Sequence, residues 1–141
     1  MTKHGRRAAL PLRLATGALT ILAMAAALAM AAAPLHAQQD SLIERAVQSR
    51  ARGDDAAPLT VYEIADFQCP YCAEFTHAVE PALDSAYVAS GKVRWVFVNL
   101  PLHTHRWGWA AAEAAMCAGG TANAFWAMHD SLYANQTTWA A

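Results

Sequence analysis

The sequence predicts an α/β chain organised around one parallel strand-helix-strand unit, and three observations carry that reading. Two runs, Leu59 to Phe67 and Val93 to Leu100, are almost continuously apolar and rich in β-branched and aromatic residues. Between them Phe75, Val79, Leu83 and Tyr87 recur every four residues, which is one face of a helix. Strand, helix and strand fit within about 40 residues, the span of a right-handed parallel crossover.

Ahead of that unit, residues 1–37 read as a secretory signal peptide. Lys3, Arg6, Arg7 and Arg13 precede an apolar stretch from Leu14 to Ala33, followed by Pro34-Leu35-His36-Ala37. Cleavage is expected after Ala37, with Ala33 as the alternative. Retention as a membrane anchor is the other outcome, since about 20 apolar residues span a bilayer. Without residues 1–37 the chain keeps six Lys+Arg against eleven Asp+Glu, a net charge near −5. No basic patch remains to hold a phosphate backbone, so nucleic acid is excluded as a partner. The remaining residues suffice for one small domain with a single core.

Residues 38–57 read as an N-terminal helix and turn. Ser41-Leu42-Ile43-Glu44 has the form of a capping box, Leu42, Ile43, Ala46 and Val47 make an apolar stripe, and Gly53 can end the helix. Asp54 to Pro58 is a turn. Leu59 to Phe67 follows as a strand expected to be buried on both faces, with Glu63 at its middle. The next helix takes Pro70 in its first turn, is kinked by Pro81 and ends at Gly91. Val93 to Leu100 is the second buried strand. Thr104 can cap a helix running to Gly119-Gly120, and Thr121 a second with Phe125, Met128 and Leu132 on its apolar face.

Cys69-Pro70-Tyr71-Cys72 lies where a strand ends and a helix begins. Unpaired N–H groups and the helix dipole there favour a thiolate at Cys69, and Cys72 is near enough to close or resolve a disulfide. Glu63, six residues earlier, is costly in an apolar strand unless paired or useful. Its carboxyl could lie under the cysteines and exchange a proton with Cys72; the alternative is a solvent-facing position at a sheet edge. Asp66 reads as a strand end or helix cap.

Three cysteines, two of them this close, form a site rather than a disulfide framework. A structural bridge across so short a loop would add little restraint. Zinc would need further ligands from Cys117, His103, His105 or His129, and no second close pair supports that. Haem attachment fails because Ala73 stands where His is required. Cys117 reads as a small buried residue, and His103, His105 and His129 as surface or capping groups. Trp107, Trp109, Trp126 and Trp139 are expected to pack helices, or else to offer a peptide-binding surface.

The run from Ala57 to Cys72 resembles the active-site region of the DsbA-like thiol:disulfide oxidoreductases, within the thioredoxin-like superfamily. Further similarity follows at Gly91-Lys92-Val93-Arg94, at Leu100-Pro101-Leu102 with His105, at Cys117-Ala118 and at Phe125 to Asp130. The resemblance implies a thioredoxin-like domain over residues 58–141, with 104–141 as the start of a helical insertion. It implies a nucleophile at Cys69, a resolving thiol at Cys72, a buried acid at Glu63, and a redox potential tuned by Pro70-Tyr71. It further implies exported or unfolded protein substrates, a membrane or soluble thiol redox partner, an extracytoplasmic location, and no metal or organic cofactor. The family's C-terminal β-β-α half, with its cis-proline loop, would lie beyond Ala141. The sequence is therefore expected to be the N-terminal part of a longer protein, or else an incompetent remnant or chaperone-like binding module.

Overall fold

A computed structural model describes residues 22–26 and 38–141. Apart from the helical residues 22–26, the expected leader lies outside the described residues. Among the described residues, no helix is long and apolar enough to cross a membrane. Asp40–Ala141 form one unit.

Helix α1 covers residues 38–48 and is followed by the short strand β1, Ala51–Arg52. Strand β2 is Leu59–Ala65 and β3 is Val93–Asn99. The sheet order is β1-β3-β2: β3 is central, antiparallel to β1 and parallel to β2, with Glu63 opposite Phe97. The predicted parallel crossover is present. β1 went unread because two residues carry no periodicity, and the helix expected to reach Gly53 stops before it.

Among the described residues β2 lies at the sheet edge and only one of its faces is covered, whereas burial on both faces was expected. Strand side chains alternate, so the register puts Val61, Glu63 and Ala65 on one face with Val93, Trp95 and Phe97. That face is covered by helices. On the other, Tyr62 and Ile64 are 63% and 62% exposed, although their apolar character reads as core. An unbroken apolar run thus reports a capacity for burial, whichever elements supply it.

The crossover is not one helix. α2, Pro70–Ala78, stops at Val79; α3, Glu80–Leu83, restarts with Pro81 near its beginning; and Asp84–Val88 is a π-helical turn. A proline inside the run removes a backbone donor and forces the break. The buried stripe is Ala73, Glu80 and Val88, whereas Val79 and Tyr87 face solvent.

After β3, α4 is Gly108–Ala122, α5 Phe125–Ala134 and α6 Gln136–Trp139. Neither expected threonine cap forms. Thr104 lies in a turn ahead of α4, and Thr121 lies inside α4 with its hydroxyl donating to Cys117 O. α4 passes through Gly119-Gly120 and ends at Asn123, whose φ of 52° is left-handed, with Asn123 N–H on Gly119 O and Ala124 N–H on Ala118 O. The glycines serve packing: a Cβ on Gly119 would lie 2.1 Å from Ser49 Oγ just after α1. Nor is Ser41 a cap, because residues 38–40 are already helical.

The main core joins Phe67, Phe97, Phe125 and Tyr133 to Ala65, Ala73, Ala111, Ala112 and Ala115. Alanines on α4 let that helix approach closely, while the aromatic rings fill the volume between. A smaller cluster of Val88, Val93 and Trp95 packs with Val61, Phe75 and Leu83.

Candidate active site

Cys69 is the N-cap of α2, with extended backbone, and Pro70 is the first helical residue. Proline suits that position because its φ is preset and its missing N–H has no intrahelical partner to lose. Ala73 N–H donates to Cys69 O at 3.2 Å, closing the first turn and setting Cys72 on the turn above Cys69. Both thiols are reduced and half-buried, while the Tyr71 ring is 79% exposed.

The two sulfurs sit in different surroundings. Burial, first of all, pushes the Cys72 thiol up to about 11; a backbone hydrogen bond at Asp66 opposes this, and Cys69 and Glu63 reinforce it. Cys72 packs against the main core, and with Glu63, Ile64, Ala65, Tyr71 and Phe75 it lines an apolar cleft of about 300 Å³. Glu63 therefore lies on the covered face of the edge strand, beside Cys72, and not in solvent. Burial pushes its carboxyl up to about 7, against a hydrogen bond from Trp95 Nε1 to Oε2 at 2.9 Å.

The loop carrying the cysteines is held by Asp66, read from the sequence as a strand end or cap, and by Gln136, Tyr133 and Gln68, which sequence reasoning did not single out. Asp66, 4% exposed, accepts from Gln68 N–H at 2.8 Å and Leu102 N–H at 2.7 Å and pairs with His105 Nδ1 at 2.7 Å. It ties the start of the active loop to the segment after β3, which is more than the expected cap. Gln136 Nε2 donates to Phe67 O at 2.7 Å and Cys69 O at 2.9 Å. Tyr133 OH donates to Asp66 O at 3.3 Å, and burial pushes its own phenol up. Gln68 accepts from Trp107 N–H and donates to Ala140 O. The helical segment thus clamps the backbone on which Cys69 sits. No local pattern marks Gln136, whose role depends on residues 67 positions away.

A second polar group lies deeper, behind Glu63. Glu80, 4% exposed, is paired with Arg52, whose guanidinium also stands 4.1 Å from the Trp126 ring. His129 is fully buried among Phe67, Phe97 and Trp126, contrary to the surface role expected for it; burial pushes its imidazole pKa down. Stepping seven residues from Ala73 would have placed Glu80 on the buried face. Cys117 is exposed, not the buried residue expected, because α4 turns that position away from the core. Trp126 and Trp139 pack inside, whereas Trp107 and Trp109 are 40% and 64% exposed.

Known proteins of two different names share similarity with this chain. A family profile described as Thioredoxin matches residues 45–141. The chain is 46% identical over 86 residues to the Na(+)/H(+) antiporter NhaA 3 of Salinispora tropica, a match to 60% of this chain and 12% of that protein. It is 34% identical over 84 residues to the probable disulfide bond formation protein D of Bacillus cereus, covering 60% of this chain and 39% of the relative. Among solved structures, oxidised BdbD from Bacillus subtilis superposes with a TM-score of 0.61 at 28% identity, over 67% of this chain and 52% of that one. The chain thus spans between an eighth and about half of the proteins it matches.

Proposed function

The chain belongs to the thioredoxin family as a DsbA-like member, and on that premise we propose that it exchanges disulfides with exported proteins through Cys69 and Cys72. The observation that carries this reading is the asymmetry of the pair: Cys69 caps α2, and Cys72 is tucked against the core beside Glu63.

In the reducing direction, the Cys69 thiolate attacks a substrate disulfide, forming a mixed disulfide and releasing one substrate thiolate. Cys72 then gives its proton to the Glu63 carboxylate and attacks Cys69 Sγ. The second substrate thiolate leaves, and a Cys69–Cys72 disulfide remains. Disulfide donation is the same sequence reversed, with protonated Glu63 returning the proton to Cys72. A thiol at about 11 is a poor nucleophile near neutral pH, so an adjacent base speeds this step. Pro70-Tyr71 tunes the potential, Tyr71 by facing the incoming chain.

The proposed setting is extracytoplasmic, with unfolded or newly exported proteins as substrates and a thiol redox partner that resets the pair. A binding-only reading draws on the exposed apolar side chains Tyr62, Ile64, Tyr71 and Trp109. Insulin reduction and oxidation of a reduced peptide, run with wild type and Cys69→Ser, separate the two. Thiol exchange that the substitution abolishes supports catalysis; activity indifferent to it removes Cys69 as nucleophile.

A further inference from the structure

Glu63 on β2, Glu80 at the start of α3 and His129 on α5 come from three separate elements and converge. Each contributes one carboxylate oxygen or imidazole nitrogen to a group lying within 4.8 Å of one another. Each also has its other polar atom held from behind. Trp95 Nε1 donates to Glu63 Oε2, Arg52 donates to Glu80 Oε1, and His129 Nδ1 faces Asp130 Oδ1 at 2.9 Å. The atoms left over, Glu63 Oε1, Glu80 Oε2 and His129 Nε2, are buried and have no hydrogen-bond partner among the described residues.

Three such atoms in one place need an explanation. The Asp130 carboxylate draws the imidazole proton to Nδ1, so Nε2 presents a lone pair. Three acceptor atoms then meet and no hydrogen bond reaches any of them among the described residues, so the site must be compensated by a proton on Glu63, by water or by a cation. We propose that Glu63, Glu80 and His129 are the protein ligands of a divalent first-row cation of the zinc type.

The surroundings match that role. A ligating histidine commonly donates its other N–H to a carboxylate, and ligating carboxylates are themselves hydrogen-bonded; Asp130, Arg52 and Trp95 supply all three supports. One imidazole with two carboxylates suits zinc, iron or manganese better than calcium or magnesium, which take sites built from oxygen. Glu63, Glu80, Asp84 and Asp130 outweigh Arg52 in charge around the group. Of the three ligands Glu80 also borders a solvent-facing cleft of about 400 Å³, together with Arg52, Thr76, His77, Asp84 and Asp130. Binding stands independently of the dithiol reading. Where that reading holds, a bound cation occupies the carboxyl that takes the Cys72 proton, and so slows the resolving step.

Calorimetric titration of Zn2+ into the full chain tests the site, with Cys69 and Cys72 oxidised and Cys117→Ser present so that no thiol competes. One equivalent should bind. Glu80→Gln and Glu63→Gln should each weaken binding by ~10-fold or more, and Asp130→Asn, at an exposed side chain outside the core, by about 10–100-fold. His103→Ala should leave binding unchanged. Co2+ should give a ligand-field spectrum without thiolate charge transfer. Absence of one-to-one Zn2+ binding overturns the proposal. So does wild-type affinity in Asp130→Asn, which remains decisive should a buried variant fail to fold. Loss of exchange activity in Cys69→Ser with Zn2+ binding intact leaves the site standing.

Discussion

Replacing Glu63 by Gln separates the charge of this side chain from its shape. The carboxyl is pushed from the usual 4.5 up to about 7, chiefly by burial, with Glu80 adding to the effect and the Trp95 hydrogen bond opposing it. A folded-state value above the unfolded one gives a definite sign. The contribution to stability is fully present below about pH 4.5 and is lost as pH rises through about 7. At about 1.4 kcal/mol for each tenfold change in proton affinity, the unscreened difference is about 3 kcal/mol. Glu63 is only half-buried, so water screens part of this and leaves on the order of 1–2 kcal/mol. Glutamine can still accept from Trp95 Nε1 and carries no charge. Glu63→Gln should therefore match wild type near about pH 4 and exceed it by on the order of 1–2 kcal/mol near about pH 8. Urea unfolding of the oxidised protein across that range, in chelator and followed by tryptophan fluorescence, measures the difference. Two stability profiles that stay parallel from acid to alkaline pH would refute the buried-carboxylate argument.

Three other outcomes are expected. Asp66→Ala leaves the N–H groups of Gln68 and Leu102 without their acceptor; a loss of about 3 kcal/mol or more, read as a Tm drop of ~10 °C or more, should follow. In Cys69→Ser, iodoacetamide should label exposed Cys117 readily and Cys72 slowly, with the Cys72 rate rising about tenfold per pH unit well into the alkaline range, since burial, the largest cause of its raised value, remains when the smaller contribution of Cys69 is removed. A Cys72 rate that levels off near neutral pH contradicts its burial. Gly119→Ala should cost about 1–3 kcal/mol through the clash with Ser49 Oγ. Ser49→Ala in the same chain should recover part of that in a double-mutant cycle, since the two sites touch.

How much of this was readable from residue order depends on how far apart the interacting residues lie. The strand-helix-strand unit and the cysteine pair were legible, because period, Pro70 and the Cys-Pro-Tyr-Cys spacing are local signals. The break at Val79 was legible as a kink at Pro81. The exposure of Tyr62 and Ile64 was not, because an apolar run does not say which elements cover each face of the strand. Gln136, Tyr133 and Arg52 act only through partners brought by the fold, and each reads alone as an ordinary polar or aromatic residue. His129 shows the same limit in reverse: its type suggests surface, and only the ring of aromatics around it makes it core.

The clamp on the active loop also sets an order of events in time. Tyr133 reaches Asp66, and Gln136 reaches Phe67 and Cys69, across sequence separations of 67 to 69 residues. Chain closure over that distance costs on the order of 4 kcal/mol in entropy beyond its constant part, so these bonds follow docking of α5 rather than lead it. A ribosome adds roughly 5–20 residues each second, so Cys69 and Cys72 emerge several seconds before the residues that fix their backbone. During that interval the pair behaves as two ordinary thiols on a flexible strand, and its reduction potential belongs to the nascent chain. The backbone around the two cysteines is fixed only once α5 and α6 have docked on it.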